Sequence, residues 1–246
     1  MADRTVPAVA GRWTSRDDTM NRTRVSQAMR LAGIAAATAI LIALTWLATL
    51  SATRSERADA QARIAASMAN QGQIYATDED GRRLAPIFDR LARSGARNVQ
   101  VRAPRGQADV LADLEGRCDL VMIDAPCTGS GAWRRNPDAK WRIRPGALEQ
   151  RVKNQDETLE KAVRFVKRGG RIVYVTCSLL RLENEDRVAE FLSRHDDMLP
   201  VDAAAQARSA GLAELAEHRS AFGPGFRLSP RSTGTDGFYI ATLTRL

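Results

Sequence analysis

Cys127 and Cys177 are the residues whose types and places could do chemistry. Cys127 lies in Asp124-Ala125-Pro126-Cys127-Thr128-Gly129-Ser130-Gly131, directly after the apolar run Leu120-Val121-Met122-Ile123. Cys177 lies in Thr176-Cys177-Ser178, directly after Arg171-Ile172-Val173-Tyr174-Val175. Each apolar run reads as a buried strand, and in open α/β sheets ligands sit outside the carboxyl ends of the strands. Two thiols and the Asp124 carboxylate delivered to one rim predict sulfur chemistry on a bound substrate. A thiol reacts only as thiolate, and a strand end facing a cationic cleft can lower its pKa. A small buried hydrophobe is the plainer reading of either cysteine. Cys118, just inside the start of its strand, takes that plainer reading.

Other groups could serve the same rim. Asp78 ends the predicted strand Gln73-Ile74-Tyr75-Ala76-Thr77, and in nucleotide-binding α/β folds an acid at a strand end accepts hydrogen bonds from ribose hydroxyls. Asp78-Glu79-Asp80-Gly81 is also a good turn, so a turn or helix-capping role competes. Pro126 denies a backbone donor and stiffens its turn, and Thr128-Gly129-Ser130-Gly131 is a loose match to a phosphate cradle. The stretch from Trp133 to Arg144 interleaves Arg134, Arg135, Lys140, Arg142 and Arg144 with Trp133 and Trp141. Cations beside flat aromatic faces suit single-stranded nucleic acid, phosphates to the charges and bases to the rings. A solvated charged loop is the alternative. Its place directly after the Cys127 loop favours RNA contact through Arg134, Arg135, Lys140, Trp141 and Arg142. No metal site is predicted.

Strands must alternate with helices to bring these groups together. After the first strand the pattern predicts a helix from about Gly81 to Ser94, a strand over Asn98–Val101 and the strand into Asp124. An amphipathic helix from Ala147 to Lys167, with Leu148, Val152, Leu159, Val163 and Val166 near one face, is stopped by Gly169-Gly170. The strand into Cys177 follows, then a helix from about Glu183 to Arg194. A closing strand over 236–243 comes after a Gly/Pro/Ser-rich loop. This alternation predicts an α/β fold with a mostly parallel, doubly wound sheet.

The 246 residues allow one large domain, or a medium domain with an appendage. A hydrophobic fraction of 44% and a charged fraction of 27% are those of a globular protein. Three cysteines placed on strands argue against a disulfide scaffold and suit a reducing, cytosolic setting. A net charge of +8 and a pI near 10.1 favour a polyanionic partner, either nucleic acid or an anionic membrane surface. Nearly all the cations are arginine, which suits phosphate contacts; genome composition would give the same bias.

Residues 1–30 are polar, Arg-rich and aperiodic, and are expected to be disordered. The run from Leu31 to Ala52 carries no charge and is long enough for a membrane-spanning helix. It is only moderately hydrophobic, and a secretory core is its rival. Six arginines precede it, so the positive-inside rule would send the following domain out of the cytoplasm. Residues 53–72 are expected to form a linker helix and 73–246 the catalytic domain.

In order, Asp124 to Gly131, Lys167 to Leu179, Glu183-Asn184-Glu185 and Thr235-Asp236-Gly237-Phe238-Tyr239 resemble the Sun (Fmu, RsmB-like) family of RNA cytosine-5 methyltransferases. The resemblance runs from roughly Ala65 to the C-terminus. It implies a Rossmann-like class I methyltransferase sheet, S-adenosylmethionine as cofactor, RNA (ribosomal RNA) as partner and a cytoplasmic location. It implies that Cys177 adds to carbon 6 of cytosine so that carbon 5 can take a methyl group, a covalent route. Asp124 would hold the polar edge of a base drawn out of its stack. Cys127 would assist loss of the carbon-5 proton and release of Cys177. Asp78, Asp124 and Pro126 would line the cofactor site, and the helix holding Gln155 would back it.

The chain departs from that family's pattern before Ala65. A glycine-rich cofactor loop, Asp-x-Cys-x-Gly-x-Gly-Gly-Lys-Thr in form, should end there after a first central strand, yet no glycine stands between Gly33 and Gly72. The departure predicts an incomplete sheet with hydrogen bonds unmade beside the gap, and a segment up to about residue 64 foreign to the family. Arg168 stands where the family usually has proline. Three rival readings accompany this one. One is a catalytically silent RNA-binding remnant that keeps the Trp loop. Another is a protein anchored in a membrane by Leu31 to Ala52. The third is an exocyclic-amine methyltransferase, which would place an aromatic residue at 127 and need no Cys177.

Overall fold

A computed structural model defines residues 68–106 and 108–246. The expected disordered segment 1–30, the apolar helix 31–52 and the linker up to residue 67 lie outside these described residues. Among the described residues no helix is long and apolar enough to cross a membrane. The end of the expected linker helix, 68–72, is turn instead. Ala69, Asn70 and Gly72 have φ of 50°, 55° and 70°, a left-handed backbone that a right-handed helix cannot use.

Strands β1 (Ile74–Ala76) and β2 (Val99–Val101) form a two-stranded parallel sheet. The single helix expected between them is two, α1 (Gly81–Leu84) and α2 (Ile87–Ser94). Pro86 separates them, because its ring removes a helical donor and crowds the preceding turn.

The larger sheet runs β3 (Cys118–Asp124), β4 (Val166–Thr176), β7 (Phe238–Arg245), β5 (Met198–Pro200), with β6 (Phe226–Leu228) also on β7. β3 and β4 are parallel, whereas β7 runs antiparallel to β4, β5 and β6. The sheet is therefore mixed, not mostly parallel. Residues 229–237 between β6 and β7 are too few for a parallel crossover. Among the described residues β1 and β3 each pair on one side only, so the two sheets are separate.

β4 and β7 are buried on both faces, which is why their sequences are nearly unbroken apolar runs. Val173, Val175, Phe238 and Ile240 face one core, with Phe226, Leu228 and helix α5 (Ala203–Ser209). Ile172, Tyr174, Tyr239, Ala241 and Leu243 face the other, against Leu159 and Ala162 of α3 (Ala147–Phe165) and Val188 and Phe191 of α4 (Glu185–Arg194). The alternation is the period of two of an extended chain. Helices on both faces make the fold doubly wound.

α3 stops at Phe165, and Gly169-Gly170 lie within β4 rather than ending a helix. The β3–β4 register shifts there: Cys118 pairs with Val166 and Leu120 with Arg171. Gly169, at φ 72°, supplies the left-handed residue such a bulge requires.

Candidate active site

Both thiol segments leave the carboxyl ends of neighbouring parallel strands. β3 and β4 are in register up to Asp124 opposite Val175. The Ala125 amide donates to the Val175 carbonyl at 2.9 Å, carrying the pairing one residue beyond the strand. From these ends the chain places the sulfurs of Cys127 and Cys177 3.3 Å apart.

Cys127 is pushed well above the ordinary thiol range, first by its hydrogen bond to Cys177, then by burial and by the negative charges of Cys177 and Glu183. Only the Gly129 amide pulls the other way. Loss of the proton from a sulfur so placed is disfavoured. Cys118, raised by burial, hydrogen-bonds the Leu114 carbonyl at 3.9 Å at the opposite end of β3 and takes no part.

A polar net ties the two loops together. Glu183 is fully buried. It accepts the Thr128 amide at 2.7 Å, the Thr128 hydroxyl at 2.6 Å, the Ser178 hydroxyl at 2.5 Å and the Gln155 side-chain amide at 3.2 Å. Gln155 on α3 also donates to the Pro126 carbonyl at 2.9 Å, tying that helix to the Cys127 loop. Asn184 accepts from the Thr176 hydroxyl and donates to the Ser178 carbonyl, bracketing Cys177. Ser130 and Ser178 hydroxyls meet at 3.0 Å. The Gly131 amide donates to the Cys177 carbonyl at 3.0 Å, and the Gly237 amide to the Gly131 carbonyl at 2.9 Å. A side chain on Gly131 would overlap the Gly237 backbone. Thr128, Glu183, Ser178 and Gly237 were legible only as motif members, since a buried acid looks like any solvated one in sequence.

The predicted cofactor residues stand at strand ends. Asp124 is exposed at the end of β3, and Pro126 follows it in the Cys127 loop. Asp78 lies just beyond β1, accepts the Asp80 amide at 2.8 Å and has Arg83 3.8 Å away. The turn role is thus realised in Asp78, whose carboxylate is partly exposed.

The basic loop divides. Trp141 is 80% exposed, with the Lys140 ammonium 4.8 Å from its ring centre. Arg142 is exposed and pairs with Asp138 at 2.5 Å, and Arg134 is half exposed. Arg135 turns inward instead, meeting fully buried Asp236 at 2.5 Å. It anchors the loop to the Thr235-Asp236-Gly237 turn and is committed there. A pocket of about 250 Å³ opens between loop and thiols, lined by Thr128, Gly129, Asn136, Asp138, Arg142 and Cys177 among others.

Residues 60–244 match the sequence model of a family described as 16S rRNA methyltransferase RsmB/F. The chain belongs to this family. Ribosomal RNA small subunit methyltransferase B of Pectobacterium carotovorum is 35% identical over 181 residues, 72% of this chain and 38% of that protein. The corresponding protein of Sodalis glossinidius is 33% identical over 178 residues. The chain thus spans about two fifths of the length of the curated relatives it matches. Among solved structures, PH0851 superposes with a TM-score of 0.65 at 32% identity, covering 74% of this chain and 39% of that one. NSun6 from Pyrococcus horikoshii, solved with SFG, gives 0.60 at 26% identity, covering 76% and 44%. The fold is that of the class I methyltransferases, whose family cofactor is S-adenosylmethionine.

Proposed function

We propose that this chain is the catalytic portion of an RNA cytosine-5 methyltransferase that works through a covalent bond between Cys177 and its target base. The 3.3 Å approach of two sulfurs from adjacent strand ends supports the reading. A structural cysteine needs no second thiol, whereas addition to a ring and release from it call for a nucleophile and a nearby proton acceptor.

Cytosine carbon 5 is a weak nucleophile. The Cys177 thiolate adds to carbon 6, forming the S–C6 bond and moving the C5=C6 electron pair onto carbon 5. Asp124 holds the exocyclic amine edge of the flipped base, which enters the pocket above Cys177. Asp78, Asp124 and Pro126 would hold S-adenosylmethionine, which would supply an electrophilic methyl group and depart as S-adenosylhomocysteine. Carbon 5 takes the methyl and must then lose its proton. Bonding to carbon 6 cancels the charge on Cys177, and with it the leading reason for Cys127 to hold its own proton. Cys127 gives that proton to solvent and, as thiolate, takes the one at carbon 5; the C5–H electron pair re-forms C5=C6 as Cys177 leaves as thiolate.

Trp141 stacks on a neighbouring base while Arg134, Lys140 and Arg142 meet phosphates, and a ribosomal RNA substrate in the cytoplasm follows from this reading. RNA carrying 5-fluorocytosine has no proton to lose at carbon 5 and should be trapped as a covalent adduct stable to denaturation. Loss of the adduct in Cys177→Ser is the expected result; an adduct that persists in that variant overturns the assignment. The lack of glycine between Gly33 and Gly72 favours a second reading, a silent RNA-binding remnant. Calorimetric titration with S-adenosylmethionine separates them, since heat of binding excludes the remnant.

A further inference from the structure

We infer that Glu183 is the positioning residue of the thiol pair: through Thr128 and Ser178 it holds the Cys127 and Cys177 loops at reacting distance. The inference rests on the function proposed above. Burying a carboxylate costs several kcal/mol unless donors surround it, and Glu183 is fully buried. Its donors are not scattered. Two come from Thr128, the residue after Cys127, and one from Ser178, the residue after Cys177. The fourth, Gln155, also grips the carbonyl of Pro126, the residue before Cys127. Every partner of this carboxylate therefore adjoins a thiol in sequence or braces its loop.

Glu183 is itself fixed from behind. Its carbonyl accepts the Tyr174 hydroxyl at 2.7 Å, and its neighbour Asn184 clasps Thr176 and Ser178. It does not line the pocket, although Thr128 and Cys177 do. Its action is thus through these neighbours and not on the substrate. Glutamine is a poor substitute: its amide nitrogen would present hydrogens to donors, where the carboxylate offers only acceptors.

The sulfur separation can be read without RNA or cofactor. Diamide, a diazene oxidant, takes one hydrogen from each thiol and becomes a hydrazine as the S–S bond forms. To bond, the sulfurs must close to about 2.05 Å, from 3.3 Å in the resting pair. The wild-type chain should form the Cys127–Cys177 crosslink rapidly. Glu183→Gln should slow it about tenfold or more, since displacements near 1 Å carry large rate penalties. Alkylation of Cys118 by iodoacetamide should stay at the wild-type rate, showing an intact β3.

A crosslinking rate within about twofold of wild type overturns the inference. So does faster Cys118 alkylation accompanying the loss, which would make Glu183 a general determinant of folding. If Glu183→Gln does not fold, Ser178→Ala keeps the carboxylate and removes its tie to the Cys177 loop, together with the hydroxyl's contacts to Ser130 and the Leu180 amide. It must slow the crosslink about threefold with Cys118 unchanged, and an unchanged rate refutes the role. A failed fluorocytosine adduct in a chain that passes this assay would strike the methyltransfer reading alone.

Discussion

Cys127 and Cys177 are the same amino acid, and the proposed mechanism gives them different roles. Cys127 is held above the ordinary thiol range by its hydrogen bond to Cys177 and by burial, which suits a mechanism in which the sulfur at 177 is the nucleophile. Replacing Cys127 should leave addition to carbon 6 intact and remove the group that lets the base go. Cys127→Ser should therefore accumulate a protein–RNA complex with ordinary cytosine RNA, visible as a slowed band on a denaturing gel. If the free protein is recovered at the wild-type level, Cys127 has no part in release. The sequence alone exposes these two residues because each follows a strand directly. It hides Glu183, whose burial depends on four donors gathered from three separate segments. It also fails to separate Arg134 from Arg135, adjacent and chemically identical: the second grips Asp236 at 2.5 Å, while the first, half exposed, stands 3.9 Å from the same carboxylate.

β3, β4 and α3 are the elements that make the site, and their apolar periodicities made them readable in advance. The misses have local causes. Pro86 divides a helix that the pattern alone would continue, and Gly169-Gly170 serve a bulge instead of a helix stop. α5 and the short strands β5 and β6 went unforeseen. Their segments are brief and Ala-rich or irregular, and they gain their structure from packing on β7 and its neighbours. The loop between β3 and α3 is held by a backbone contact between two glycines. Gly131→Ala would force its Cβ into the Gly237 carbonyl, an overpacking worth about 1–3 kcal/mol. Urea unfolding should show that loss. Gly129→Ala, at φ 71° but with nothing near its Cβ, should cost only the left-handed backbone strain of about 1 kcal/mol. Equal losses at the two positions would mean that the 131–237 contact does not lock the loop.

Taken as one cooperative unit, the larger core buries several groups that resist ionisation. Tyr174 and Tyr239 are held well above the ordinary tyrosine value of 10.0, chiefly by burial, and Cys127 lies above 9.0 for the reasons given. Below these values both folded and unfolded chains keep the protons, so stability does not change on their account. Above them the unfolded chain releases protons that the folded chain retains, and stability falls as pH rises. Each group contributes up to about 1.4 kcal/mol per pH unit past its ordinary value. The urea midpoint should hold between about pH 7 and 8.5 and drop by about pH 10.5; a flat profile would contradict the burial.

The separation of β1–β2 from the larger sheet carries a consequence for how such an enzyme divides its labour. Asp78 rides on a platform only three paired residues deep, a size that is marginal by itself in water. The sulfurs follow β3 and β4, neighbours in the larger sheet, of which β4 is buried on both faces. On the proposed function the methyl donor is held by the shallower of the two sheets and the sulfurs by the deeper one, so substitutions in β1 and β2 should weaken donor affinity before they slow bond-making.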